Sequence, residues 1–78
     1  MQANIVRAID GTAQVIPMPV QGIILARLGD RSAVVPTARA YQLIHQAGLP
    51  GITEQPGTRE WRWQCRQVAS ALLGDWQG

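Results

Sequence analysis

The sequence predicts a single α+β domain in which a small antiparallel sheet packs against two helices. Short β-favouring runs separated by glycine-containing turns fill residues 1–35, and two segments with a helical period fill residues 36–76. A chain of 78 residues has room for one modest core. We therefore expect residues 1–78 to form one domain, with the change from strands to helices at Pro36.

The first hairpin is predicted at Asp10-Gly11, because this dipeptide is typical of two-residue turns between antiparallel strands. A β-favouring run at residues 5–9 precedes the turn, and residues 12–16 should return antiparallel to it. Pro17 and Pro19 then remove two backbone donors within three residues. These prolines restrict the segment that follows to a sheet edge, a bulge or an irregular crossing.

A second hairpin is predicted around Gly29-Asp30-Arg31. Residues 23–28 before it have the strongest strand signal in the chain, and residues 32–35 follow it. The total is three to four short strands. Because Ile23, Ile24 and Leu25 are consecutive, some apolar side chains must point away from the helices. An apolar outer face on so small a protein suggests a dimer or a protein partner.

Two helices are predicted after Pro36, and each has its own start and stop signals. Thr37 is expected to cap the first helix, and Gly48 is expected to end it. The apolar positions of this helix follow the i, i+3, i+4, i+7 spacing and are Ala40, Leu43, Ile44 and Ala47. Residues 49–57 contain two prolines and two additional glycines after Gly48, which predicts a connecting loop. Thr58 should cap the second helix, which should end at Gly74.

The second helix has an apolar face and an arginine-rich face. The apolar stripe consists of Trp61, Cys65, Val68 and Leu72, flanked by Ala69 and Ala71. Trp63 lies on the opposite face among guanidinium groups. Tryptophan and arginine together are typical of binding hot spots, because both bury much area at low entropic cost. The predicted partner-binding residues are Trp63, Arg59, Arg62, Arg66 and Gln67.

Two alternatives remain for this arginine-rich face. Trp63 could pack under the sheet, with an arginine stacked on its ring as an internal cation–π pair. The face could also bind nucleic acid, with Arg59, Arg62 and Arg66 tracking phosphates and Trp63 stacking on an unpaired base. The formal net charge of +2 is small for that role. The sequence has neither a helix-turn-helix pairing nor the aromatic pair of an RNA-binding strand.

No catalytic constellation is visible in the sequence, so we expect a protein that is not an enzyme and uses no cofactor. His45 is the only histidine, and no nucleophile is placed to work with it. The five carboxylates do not occur in pairs, which argues against a metal site. Arg39, Tyr41 and His45 form a second, fainter polar surface on the first helix, although an ordinary solvated helix face is the favoured explanation for it.

The cysteine content and the lack of long apolar runs indicate the cellular compartment in which the protein is expected. Cys65 is the only cysteine, so a disulfide framework and a cysteine metal site are both excluded. The first residues lack the basic and apolar regions of a secretory signal, and no apolar run reaches membrane-spanning length. We therefore expect a soluble protein in the reducing cytoplasm of a bacterial host.

In size, α+β build and lack of catalytic residues, the chain resembles the small phage-encoded inhibitors, of which the anti-CRISPR proteins are the best-known group. The resemblance implies a CRISPR effector complex or one of its subunits as the partner. It also implies that the protein blocks target DNA or nuclease recruitment sterically. No motif unites that group, so no residue role is carried over from it. A phage or plasmid accessory protein of other purpose is the alternative.

Overall fold

A computed structural model describes residues 5–74, which form a four-stranded antiparallel sheet with two helices packed on one face. The α+β prediction is confirmed, with four strands rather than three. The elements are β1 (Ala8–Ile9), β2 (Ala13–Met18), β3 (Ile23–Leu28), β4 (Arg31–Pro36), α1 (Thr37–Gln46) and α2 (Arg59–Leu72). Sheet order follows chain order, so each strand pairs with its neighbour in sequence. The parts of the predicted ranges at residues 1–4 and 75–76 lie outside the described residues.

The first hairpin differs from the prediction at both of its strands. β1 is only two residues long and lies opposite Gln14 and Val15. β2 continues through Pro17, which pairs with Ile24 of β3. The amide of Gly29 donates to the Thr12 carbonyl at 2.8 Å. Thr12 and Gly29 are therefore a hydrogen-bonded pair, and such pairs alternate along an antiparallel ladder with pairs that are not hydrogen-bonded. Pro17 and Ile24 fall in a pair of the second kind, so the nitrogen of Pro17 faces away from β3. It faces the side of β1, which pairs only with Gln14 and Val15 and does not reach Pro17. Pro17 is thus at a local sheet edge.

The junction between β4 and α1 shows why the predicted cap at Thr37 is wrong. Thr37 is the first helical residue, and the capping position is held by Pro36, which makes no side-chain capping bond. The amide of Thr37 donates to the Gly22 carbonyl at 2.9 Å, so it still belongs to the sheet ladder. The strand therefore continues directly into the helix. Gly48, with φ of 70°, follows α1 as predicted.

The start of α2 is as predicted, and its end comes earlier. The Thr58 hydroxyl accepts a hydrogen bond from the Trp61 amide at 3.2 Å, which satisfies one of the free donors at the helix start. α2 ends at Leu72 instead of Gly74. Gly74 lies two residues further on, with φ of 82°, in the left-handed conformation that favours glycine.

Both helices bury their apolar stripes on the same face of the sheet. The sheet contributes Ala8, Ala13, Val15, Ile24, Ala26 and Val35, and the helices contribute Ala40, Ile44, Trp61, Cys65, Val68, Ala69 and Leu72. The predicted stripes of the two helices are therefore confirmed. Ile52 adds to this core from the connecting loop, which the loop's composition did not indicate. The core holds α2 against the sheet and leaves its polar face outward.

Candidate partner-binding surface

α2 presents its arginine-rich face to solvent because its opposite face is the buried stripe. Trp61 is 8% exposed, whereas Trp63, two residues later, is 60% exposed. A separation of two residues corresponds to about 200° around a helix, so the two rings point in nearly opposite directions. Trp63 therefore does not pack under the sheet, and the internal cation–π alternative is not the arrangement found.

A groove of about 410 Å³ runs along this face, lined by Arg59, Glu60, Arg62, Trp63 and Arg66. We call it the α2 groove. Four of the five residues predicted from the sequence line it, while Gln67 does not. Glu60 lines it and was not among the predicted residues. It lies three positions before Trp63, a spacing that makes helix residues neighbours, so the helical period itself was a signal for including it.

The three arginines of the α2 groove differ in their partners. Nε of Arg66 lies 3.3 Å from the Thr12 hydroxyl and 3.6 Å from Oδ2 of Asp10, so this side chain is tied to the β1–β2 turn. Arg59 and Arg62 make no hydrogen bond or ion pair with any residue in 5–74. Two of the three guanidinium groups are therefore available to an external ligand, and the third also supports the fold.

Asp10 explains why Arg66 is held at the turn. Its side chain is fully buried, and Oδ1 accepts hydrogen bonds from the amides of Thr12 and Ala13 at 3.0 Å and 2.7 Å. Oδ2 is buried without a hydrogen bond, and the Arg66 guanidinium is the charge beside it. A buried carboxylate without a nearby cation is costly. Arg66 thus offsets a charge within the protein, a role that the sequence did not reveal.

Gln64 is a second residue whose role the sequence did not indicate. Its Oε1 accepts from the amides of Thr53 and Glu54, both at 2.9 Å, and its Nε2 donates to the Thr53 hydroxyl at 2.9 Å. This side chain therefore holds the connecting loop against α2. Gln67 is half-buried and makes no hydrogen bond within residues 5–74. No local sequence signal separates the two glutamines, because the partners of Gln64 lie 10 and 11 residues away.

The second polar surface predicted on α1 does not form one patch. Arg39 and Tyr41 are two residues apart, so they point in directions about 200° apart on the helix. Arg39 is exposed and donates to the Gln42 side chain at 3.5 Å. Tyr41 and His45 share a face at i and i+4, where Tyr41 is half-buried and His45 is exposed. The structure therefore keeps two of the three residues together and separates Arg39 from them.

The Cys65 thiol and the possible metal ligands of the described residues give little support to a reactive site. Burial and the nearby Asp10 carboxylate raise the pKa of the Cys65 thiol to about 11. The thiol is therefore protonated at neutral pH, and a thiol is a poor nucleophile compared with a thiolate. Within residues 5–74, no three His, Cys, Asp or Glu side chains are grouped to hold a metal ion. Neither helix has the length and apolarity needed to cross a membrane.

Comparison with protein-family models, with curated proteins and with solved structures finds no match for this chain.

Proposed function

We propose that this protein is a non-enzymatic binding protein that acts by occupying a partner's surface through the α2 groove. The observation that carries the proposal is the 60% exposure of Trp63 beside two arginines that have no partner within residues 5–74. An indole left in water is unfavourable, because most of its surface is apolar. Contact with a partner would bury this ring and give it the large contact area on which hot spots depend.

The charges of the α2 groove favour an acidic partner surface. Arg59 and Arg62 both line the groove, and each offers a planar guanidinium that binds a carboxylate through two parallel hydrogen bonds. Glu60 lies in the same groove and supplies an acceptor of opposite sign. A partner with carboxylates near a basic or hydroxyl group would match this arrangement, whereas a uniformly acidic polymer would meet repulsion at Glu60.

The most concrete form of the proposal is a phage or mobile-element inhibitor, such as an anti-CRISPR protein that blocks a CRISPR effector complex. The support is the small α+β domain and the exposed Trp63 on a helix whose other face is packed in the core. In such a mechanism the protein covers the effector surface that target DNA or the nuclease must reach. A phage or plasmid accessory protein with another target would use the same groove.

The test is a competition assay with purified, guide-loaded CRISPR effector complexes and labelled target DNA. We expect the wild-type chain to prevent the rise in DNA anisotropy, and Trp63→Ala to weaken inhibition roughly 30-fold, the effect of losing about 2 kcal/mol of hot-spot energy. Arg39→Ala is the matched arginine control, because it lies on α1, and it should inhibit like wild type. If no effector is inhibited, the anti-CRISPR form is wrong.

A stability control separates a binding loss from a folding loss. Trp61→Ala removes a ring from the core and should cost about 3 to 5 kcal/mol of unfolding free energy. Trp63→Ala removes an exposed ring, so its melting temperature should stay within a few degrees of wild type. If Trp63→Ala melts as Trp61→Ala does, Trp63 is a structural residue, and the binding proposal loses the observation that carries it.

Nucleic-acid binding is the second candidate. It is favoured by the guanidinium groups of Arg59 and Arg62, which have no partner in the described part of the chain, beside an exposed indole. Its test is the anisotropy of labelled single- and double-stranded DNA and RNA at low and physiological salt. The variant is Arg59→Ala/Arg62→Ala, since replacing Arg66 would also disturb the β1–β2 turn. Tight binding that weakens steeply with salt and is lost in this variant would favour nucleic acid over a protein partner.

A further inference from the structure

The α2 groove is polarised across the exposed ring of Trp63. Successive residues of a helix are about 100° apart around its axis. The three arginines that line the groove therefore lie between about 40° and 100° to one side of Trp63, and Glu60 lies about 60° to the other side. We call these two sides the basic flank and the acidic flank. The indole lies between them.

Contacts on the two sides of α2 show which part of the fold each flank faces. On the basic flank, Nε of Arg66 lies 3.3 Å from the Thr12 hydroxyl, so this flank faces the β1–β2 turn. On the acidic side, Oε1 of Gln64 accepts from the Glu54 amide at 2.9 Å, so this side faces the connecting loop. Glu54 is exposed and adds a second carboxylate on the loop side of α2. The groove thus separates an arginine-rich side from a carboxylate-rich side.

The outward charges of the groove are not neutralised by neighbouring side chains. Arg59, Arg62 and Glu60 make no hydrogen bond or ion pair with any residue in 5–74. A guanidinium binds a carboxylate through two parallel hydrogen bonds, so carboxylates are suitable partners for the basic flank. Charge complementarity therefore requires acidic residues opposite the basic flank and a basic residue opposite Glu60.

The spacing of the basic flank matches that of a second helix. Arg59, Arg62 and Arg66 follow the i, i+3, i+7 spacing and extend over about 10 Å along α2, in steps of about 4.5 Å and 6 Å. Acidic residues with this spacing on another helix repeat over the same distances, so each of them can lie opposite an arginine. Side chains on one face of a β-strand repeat every 7 Å or roughly so, which does not follow these steps.

We propose that the partner segment bound by the α2 groove is an acidic amphipathic helix with a basic residue on its far side. The inference rests on the proposed function, because it names the partner of the same groove. Acidic residues at i, i+3 and i+7 meet the basic flank, and an apolar residue at i+4 packs on Trp63. A lysine or arginine beyond it meets Glu60. Anchors at these spacings are typical of helices that dock in grooves.

Glu60 distinguishes this partner from a nucleic acid. A nucleic-acid strand carries a phosphate at every nucleotide, so a strand that crosses the groove brings like charge to the acidic flank, and like charges in contact are costly. A helix can carry acidic residues on one side of its apolar anchor and a basic residue on the other. Glu60 is therefore a specificity-determining residue of the groove.

Two synthetic helices that differ on one side test the proposal. Both are alanine-rich peptides of about 18 residues, long enough to be helical in water, and both carry the same row of glutamates and one leucine. The first has lysine on the far side of the leucine, and the second has glutamate there. Wild type should bind the first peptide roughly tenfold more tightly. Binding is read from the Nε1–H NMR signal of Trp63, which the Trp63→Ala variant identifies by its loss.

Charge-reversal and charge-removal variants give the proposal its controls. Glu60→Lys should reverse the preference between the two peptides, a result that misfolding would not produce. Arg59→Gln/Arg62→Gln should weaken binding of both peptides roughly tenfold, the effect of losing charged contacts. This double variant should melt at or above the wild-type temperature, because cations near the start of a helix oppose its dipole. Arg39→Gln on α1 is the matched control and should bind both peptides like wild type.

Three results overturn the inference. They are equal affinity of wild type for the two peptides, an unchanged preference in Glu60→Lys, and no binding of either peptide at about 1 mM. Tighter binding of a thymidine oligonucleotide of about 12 nucleotides than of either peptide also overturns it and favours nucleic acid. Effector inhibition that is lost in Trp63→Ala would still support the proposed function in each case. Peptide binding without inhibition of any effector leaves the helix inference intact and removes the anti-CRISPR form.

Discussion

Nε of Arg66 lies 3.6 Å from Oδ2 of Asp10, although the two residues belong to opposite ends of the chain and differ greatly in exposure. The Asp10 side chain is fully buried, and the Arg66 side chain is 53% exposed. The ion pair connects the β1–β2 turn to α2 beside the α2 groove. Arg66 therefore belongs both to the candidate surface and to the fold, and replacing it would confound any binding experiment.

The first prediction concerns the β1–β2 turn. Asp10→Ala removes the acceptor for the Thr12 and Ala13 amides, so we expect a loss of about 1 to 3 kcal/mol in unfolding free energy, measured by urea denaturation. Asp10→Asn keeps the Oδ1 acceptor and should lose less. Asp30→Ala is the control, because Asp30 makes no hydrogen bond or ion pair in the described part of the chain. Equal stability of Asp10→Ala and wild type would contradict the role given to this carboxylate.

The second prediction concerns the connecting loop. Gln64→Ala removes the one oxygen, Oε1, that accepts from both the Thr53 and Glu54 amides, so their hydrogen exchange should become roughly tenfold faster, the effect of losing about 1 kcal/mol of local protection. Gln64→Glu keeps an oxygen for both amides and should exchange more slowly than Gln64→Ala. Gln67→Ala serves as the control. Unchanged protection in Gln64→Ala would show that the loop is held by other contacts.

The third prediction compares two threonines at helix starts. Thr58→Ala removes the cap of α2 and should lower the unfolding free energy by about 1 kcal/mol, as seen for other capping residues. Thr37→Ala should change it by about 0.5 kcal/mol or less, because Thr37 is inside α1 and does not cap it. Thermal melts of the two variants, made side by side, check this difference. A larger loss in Thr37→Ala would contradict the helix start described for α1.

The fourth prediction concerns the pH dependence of stability. Burial, with the Asp10 charge as a smaller cause, raises the pKa of Cys65 to about 11 from the ordinary value of 9.0. Between these values the folded state holds a proton that the unfolded state releases, so stability falls as pH rises. We expect the stability advantage of wild type over Cys65→Ala to be full below pH 9 and to shrink towards pH 11.

Urea denaturation of wild type and Cys65→Ala at several pH values in this range measures that prediction. The comparison cancels the contribution of the titrating groups that both proteins share. A constant difference between the two proteins across the range would mean that the folded and unfolded thiols titrate alike. The thiol should also resist alkylation in the folded protein at neutral pH, because it is buried and protonated.

The sequence alone determined the type and order of the elements and the faces of the helices, although not all of their ends. Glycine and proline positions marked the turns and the start of α1, and the period of about 3.6 residues separated Trp61 from Trp63. These properties depend on residues within one or two turns of each other, so local geometry is sufficient to derive them. The capping role of Thr58 follows from the same short range. The role of Thr37 did not, because its amide donates to the carbonyl of Gly22, in the turn just before β3.

Only the tertiary structure decided which polar residues of α2 bind within the protein and which remain free. Arg66 pairs with Asp10 and Thr12, more than 50 positions away, and Gln64 binds a loop that the sequence identified only by its prolines and glycines. The sequence also showed that some apolar residues must leave the core, but strand register decided that they form one continuous face. Contacts of this kind depend on how the elements pack, and helical and strand periods contain no information about a distant partner.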